Sequence, residues 1–303
     1  MTLECQKNVS GTFFSDKILD HKQAGYLLKM EKHTYCLSII LAGIFRFYEP
    51  RIEELDIYLN NKSALVRRMT LEYKYSLMGG SWDGLEANLL DNNAGVRKYV
   101  VWVLQKYTDL DILNYYIQAL EGDKCHIAII GIGENGGKDQ IDLLIPYLKN
   151  SNTKIVKSSI LALGKLMEYD GYELFWKYLL DPRLEVSKAA FLSICRNSIK
   201  YNEKKLFDEY KSNENYHTKR YLALLLSRGN TWERLPYLLH IYNDIEVVQL
   251  QDLLLCKIMR RELYNKISVE QAELIRNEVE RKKDILPKEI LDKILFDLKY
   301  VGN

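Results

Sequence analysis

The feature that most constrains this chain is a repeat. Four segments carry it: YLNNKSALVRRMT over 58–70, LLDNNAGVRKYV over 89–100, YLKNSNTKIVKSS over 147–159 and YLLDPRLEVSKAA over 178–190. Each reads as an apolar helix end, a short polar turn carrying Asp or Asn, and a new helix opening near a β-branched residue. Aligning the start of each second helix places anchors at Thr34, Val66, Val96, Lys124, Ile155, Val186, Tyr216 and Val247, in steps of 32, 30, 28, 31, 31, 30 and 31 residues. A period of this length is the mark of a helical-repeat architecture.

Small residues recur within the period. Four places after the anchor stand Ser38, Thr70, Ala128, Ser159 and Ala190, and nine places after it Gly43, Gly133, Gly164, Cys195 and Cys256. Small side chains at helical spacing let neighbouring helices approach closely. Each unit therefore reads as helix A, tight turn, helix B. One such hairpin cannot cover both of its apolar faces, so units must stack in series. The expected organisation is a single all-α domain over 1–303: an N-terminal cap (1–30), about seven to eight helical hairpins (31–262) and C-terminal capping helices (263–303). In the last segment Ser268 and Gln271 form a capping box, and Pro287 sits where a further helix begins.

Composition fits this reading. Hydrophobic residues make up 47%, enough for a packed core, and only five prolines occur, none in a linker-like stretch. The net charge is +2, so attraction to nucleic acid or membrane would have to come from segregation of charge on the surface. The N-terminus lacks a signal-peptide pattern, Leu37–Phe45 is too short to span a bilayer, and the five cysteines are scattered without a CxxC pair. The expectation is a cytoplasmic protein with reduced thiols and no membrane partner.

The pattern of Leu-x-Asp, then Val-Arg, then small residues, then Leu-Gly resembles HEAT repeats, including the bacterial variety related to phycobilisome lyases. Asn61 with Val66-Arg67, Asp91 with Val96-Arg97, and Ile160-Leu-Ala-Leu-Gly164 carry the resemblance, which spans roughly residues 30–260. Lys124-Cys-His and Asn215-Tyr-His depart from it where Val-Arg would stand. The resemblance implies an α-solenoid whose B helices line a concave groove, with a ladder of ion pairs between repeats. It specifies architecture rather than activity.

In that register the exposed stripe of each B helix runs through positions two, six and ten after the anchor. Position two supplies Arg68, Lys98, His126, Lys157, Lys188, Thr218 and Gln249, and position ten supplies Ser76, Lys106, Glu134, Lys165, Arg196, Leu226 and Lys257. Position six supplies Glu72, Trp102, Ile130, Leu161, Leu192, Leu222 and Leu253. Acids such as Asp56, Glu86, Asp111, Asp142 and Glu173 sit on or before the A helices instead. The expected binding residues are Arg68, Lys98, Tyr99, Trp102, Lys106, His126, Lys157, Lys165, Lys188 and Arg196, with Tyr99 and Trp102 as a cation–π platform where exposed. The same charges also fit a structural ladder, and Trp102 also fits a core position.

Catalytic patterns are sparse. Gly131-Ile-Gly-Glu-Asn-Gly136 matches GxGxxG, yet it lacks a preceding strand and an acid about twenty residues on. The register makes it the end of a B helix. The five histidines show no i, i+4 pair and no Cys at zinc spacing, so no metal and no cofactor are expected. HEAT-like DNA glycosylases for alkylated bases remain an analogy, with Glu134 as the only candidate carboxylate near the basic stripe. The leading expectation is a non-enzymatic scaffold that takes an acidic or helical segment of a protein partner. Nucleic-acid binding through the basic groove and a lyase-like or chaperone-like client-binding role are the alternatives.

Overall fold

The computed structural model describes residues 33–47, 52–77, 84–228, 232–259 and 267–299, together with 26, 30 and 31. The expected N-terminal cap, Gly43's surroundings, Cys5 and Trp82 therefore fall outside what can be described. Every regular element among the described residues is helical. The chain divides into two compact units, Met1–Gly136 and Gly137–Asn303.

The first unit holds α1 (Thr34–Phe47), α2 (Ile52–Leu59), α3 (Ala64–Leu77), a 3-10 turn at Leu85–Leu90, α4 (Ala94–Tyr107), α5 (Ile112–Gln118) and α6 (Cys125–Asn135). Helix α2 pairs with α3, the 3-10 turn with α4, and α5 with α6, while α1 packs on α3 and α3 on α4. Asn93 starts α4 by accepting from the Gly95 and Val96 N–H groups, and Asp111 starts α5 by accepting from Asn114 N–H. The core runs through Val66, Leu71, Leu89, Val96, Val100, Leu104, Tyr116 and Ile129, all buried.

The second unit holds α7 (Ile141–Leu144), α8 (Thr153–Leu166), α9 (Tyr172–Leu179), α10 (Leu184–Arg196), α11 (Glu203–Ser212), α12 (Tyr216–Leu226), α13 (Leu235–Ile241), α14 (Gln251–Met259), α15 (Val269–Lys282) and α16 (Lys288–Leu298). Helix α8 packs on α10 and α10 on α12, with α9 and α11 paired to α10 and α12. Contact between α8 and α10 is close: a Cβ on Gly164 would lie 2.3 Å from Ser193 Oγ. The position-four residues Ser38, Thr70, Ala128, Ser159 and Ala190 are all buried, as are Gly133 and Gly164 at position nine. Both halves of the Ser268–Gln271 capping box form, and α15 docks on α13 with His240 Nδ1 3.2 Å from a Glu278 carboxylate oxygen.

Four expected registers differ, at Thr34, the first residue of α1, at Lys124, the N-cap of α6, and at Tyr216 and Val247. Val66, Val96, Ile155 and Val186 are the third residues of their helices, whereas Tyr216 is the first residue of α12, because Asn215 occupies its N-cap position. The residue equivalent to Val66 is therefore Thr218. Thr218, Leu222 and Leu226, expected on the exposed stripe, are each 0% exposed. Val247 likewise does not start a helix. It sits at φ −126°, ψ 21° inside a 3-10 turn capped by Asp244, and α14 begins only at Gln251. Cys256, read as a packing residue, is exposed, while Gln249, Leu253 and Lys257 are exposed as that anchor implies.

The GxGxxG string lies in α6 and the turn that follows it, with no strand before it. After it come the short α7 and the 3-10 turns on either side of it, Lys138–Gln140 and Ile145–Lys149, the second carrying Pro146 in its first turn. None of the helices is long and apolar enough to cross a membrane among the described residues.

Candidate functional site: the exposed faces of the B helices

Two sets of cations begin the B helices, one residue apart, and the fold separates their roles. The first set is buried in a ladder. Arg67 donates from Nε and Nη2 to the Asp91 carboxylate, both at 2.7 Å, and from Nη1 to Asn61 O. One repeat on, Arg97 donates from Nε and Nη2 to Glu134 at 3.0 and 2.8 Å, and from Nη1 to Asp91 O. Paired donation from a guanidinium to a carboxylate is directional and strong. Glu134, considered above as a catalytic carboxylate, is thus held by Arg97 with its side chain only 12% exposed.

Asp91 connects the two rungs. Burial pushes its carboxyl up, but the bonds from Arg67 and Asn93 N–H, with the charges of Arg67 and Arg97, outweigh this and hold it below the usual carboxylate value. A carboxyl lowered in the folded state stabilises the fold above its unfolded pKa of about 3.9, and that contribution is lost as pH falls through the folded value. We expect Asp91→Asn to lower stability at pH 7 and to flatten the acid limb of a plot of urea midpoint against pH between about 5 and 2. An unchanged acid limb would show that Asp91 is not linked to folding.

The second set, one residue further on, points outward. In the first unit Lys98, Trp102 and Lys106 stand at i, i+4 and i+8 of α4, all exposed, with Trp102 at 55%. Tyr99 lies beside them, its ring centroid 6.3 Å from that of Trp102. Lys106 Nζ sits 5.3 Å from the Trp102 ring centre and Arg68 reaches over from α3 to 5.5 Å from Tyr99. Burial, with a smaller push from Glu72, raises the Tyr99 hydroxyl to about 12, so it stays protonated and can donate. The expected platform therefore forms. Arg68 is also paired with Glu72 at 2.8 Å, whereas Lys98 makes no ion pair among the described residues. His126, the position-two residue of α6, is half-buried and adds no exposed cation to this face.

In the second unit Lys157 bridges to Glu185, joining α8 to α10. Lys157 first and Lys188 more weakly hold the Glu185 carboxyl below its usual range. Lys188, Leu192 and Arg196 repeat the α4 arrangement on α10, all exposed, with Leu192 at 46%. On α8, Leu161 and Lys165 are half-buried. The corrected register of α12 brings in residues the aligned anchors had missed: Arg220 and Arg228 are exposed and Leu224 half-buried, at positions two, ten and six after Thr218. The signal that would have located them is Asn213, which accepts from Asn215 N–H five residues before Thr218, as Asp91 accepts from Asn93 N–H five residues before Val96.

The second unit also contains a cleft of about 400 Å³ lined by Ile199, Lys200, Tyr201, Arg228 and Arg234, among others. Arg234 is committed there to Glu203 at 2.8 Å and to Leu225 O at the end of α12. Arg228 donates to Cys195 O, so this cleft is braced by its own cations. Among the described residues there is no group of three or more His, Cys, Asp or Glu placed to hold a metal ion.

In comparisons with known proteins, no family model matches the chain, and no curated protein matches it.

Proposed function

We propose that the chain is a HEAT-like helical-repeat protein, an α-solenoid without enzymatic activity, that binds an acidic segment of a protein partner on the exposed faces of its B helices. The observation that carries the reading is the α4 platform: Trp102 is 55% exposed and flanked by Lys98, Tyr99 and Lys106, with Arg68 alongside. Large apolar side chains on stable helices are normally turned inward. Trp, Tyr and Arg are the residue types that dominate binding energy at protein interfaces, and the neighbouring cations select an acidic partner.

Charge pairing favours a protein over a nucleic-acid backbone. Arg68 is engaged by Glu72 and Lys157 by Glu185, carboxylates on the same faces. Nucleic-acid affinity depends on the number of phosphates neutralised, and these pairs leave fewer cations for that, whereas a protein segment also gains from the exposed Trp102 and Leu192.

The test uses a labelled 15-residue peptide of Glu and Asp with interspersed Leu and Phe, beside labelled single-stranded oligo-dT, each titrated at two salt concentrations. We expect the peptide to bind and Trp102→Ala to weaken it about 30-fold, a loss of about 2 kcal/mol. The melting temperature should stay close to that of the parent, because so exposed a side chain contributes little to the core. Tight oligo-dT binding with a steep salt dependence and no peptide binding would replace this reading with the nucleic-acid one.

A further inference from the structure

The corrected register of α12 completes a pattern on three successive, mutually packed helices of the second unit. Each of α8 and α10 carries a cation, a leucine and a second cation at i, i+4 and i+8, while α12 carries Arg220 and Leu224 and Arg228 follows two residues past its end. Leu161, Leu192 and Leu224 therefore form a row across the three helices. A row of cations lies on either side, about 6 Å away, the length of four helical residues. The helices are clamped to one another: Lys157 pairs with Glu185 between α8 and α10, and Phe191 stacks on Tyr221 between α10 and α12, centroids 5.0 Å apart.

We infer that this face takes an acidic amphipathic helix lying across α8, α10 and α12, with its apolar ridge on the leucine row. The inference rests on the acidic-partner reading above and specifies the partner's form. Packed helices stand about 8–10 Å apart, and a helix advances about 10.5 Å in seven residues. One heptad of the partner therefore spans one helix-to-helix step, and three heptads cover the face. An extended acidic chain would meet the cation rows but would have no reason to place an apolar residue on each leucine.

The two cation rows are not equivalent. Glu185 sits among Lys157 and Lys188, so the row nearer the helix starts is partly neutralised by a carboxylate that is itself about half exposed. The opposite row includes Arg196, and Arg228, past the end of α12, is tied to the Cys195 carbonyl beside it by a bond that leaves its charge intact. The denser acidic flank of the partner lies over Arg196 and Arg228.

The experiment is fluorescence anisotropy of the full chain with two labelled peptides of three heptads and identical composition. One places Leu at a and d with Glu at the flanking positions, and the other is scrambled. We expect the patterned peptide to bind about tenfold more tightly than the scramble, Leu192→Ser to remove that difference, and Arg196→Glu to weaken the patterned peptide by about tenfold. Leu192 and Arg196 are exposed, so both variants should retain the parental melting temperature. Equal binding of the two peptides overturns the helical inference while leaving the acidic-partner reading standing. Patterned binding that responds to Trp102→Ala but to neither Leu192→Ser nor Arg196→Glu places the site on the other unit and also overturns it. Failure of both peptides, with binding of oligo-dT, removes both readings together.

Discussion

Replacing Arg97 with alanine should destabilise the Met1–Gly136 unit by about 3–5 kcal/mol and lower its melting temperature by on the order of 10 °C. The Arg97 side chain is 3% exposed and its partner Glu134 12%. Two bonds to that carboxylate and a third to Asp91 O satisfy the guanidinium. Truncation leaves a buried carboxylate without its counter-charge and a turn carbonyl without its donor, and the cost of stranding them exceeds the net value of the pair. The same reasoning predicts that the double replacement Arg97→Met with Glu134→Leu recovers most of the loss, since neither charge then remains buried. Thermal and urea melts of the three proteins decide the matter. A single variant within about 1 kcal/mol of the parent would mean that water reaches Glu134 readily, and the ladder would lose its structural role. Glu134→Gln should destabilise in the same direction, because it removes the carboxylate that takes two of the Arg97 bonds.

The second large effect concerns a glycine that a motif search would assign to a nucleotide. A Cβ on Gly131 would lie 2.2 Å from Tyr116 Cε1 and 2.4 Å from its Cδ1 and Cζ. Tyr116 is 0% exposed and its hydroxyl donates to Leu89 O at 3.1 Å, so the ring is fixed at its far end and walled in along its sides. Alanine in place of a mid-helix glycine ordinarily gains up to about 1 kcal/mol. Here the overlap should turn that gain into a loss of about 1–3 kcal/mol. In a Tyr116→Leu background the obstruction is gone, and Gly131→Ala should become neutral or favourable. The difference between the two backgrounds, read by urea denaturation, isolates the contact. Stabilisation by Gly131→Ala in the parent protein would show that the ring has room to move and would end this account of the glycine.

Much of the architecture is legible in the residues alone because it depends on near neighbours. Asn93, Asp111, Asn152 and Asn202 each cap the helix that follows them, and Ser268 with Gln271 makes its capping box. The buried small residues at position four and the cation, apolar residue, cation spacing on α4, α8 and α10 follow from the 3.6-residue turn. Where the aligned repeats and the structure part, a helix start has two possible places in the residues. The turn at Asn213, whose side chain accepts from Asn215 N–H, makes Thr218 rather than Tyr216 the third residue of α12, which buries Leu222 and Leu226 and exposes Arg220. A kink at Val247 delays α14 to Gln251.

What the tertiary structure alone decided is the fate of each charge and of each large apolar side chain. Arg67 and Arg68 are adjacent and identical in kind, yet one is locked to Asp91, 24 residues away, and the other turns outward over Tyr99. Arg97 and Lys98 divide the same way. Trp102 and Leu161 share a position in the repeats, yet one is 55% exposed and the other half-buried. Helical periodicity, a property of the chain by itself, specifies which residues share a stripe. Whether that stripe meets a neighbouring helix or open space depends on residues some thirty positions away, and only packing brings those together.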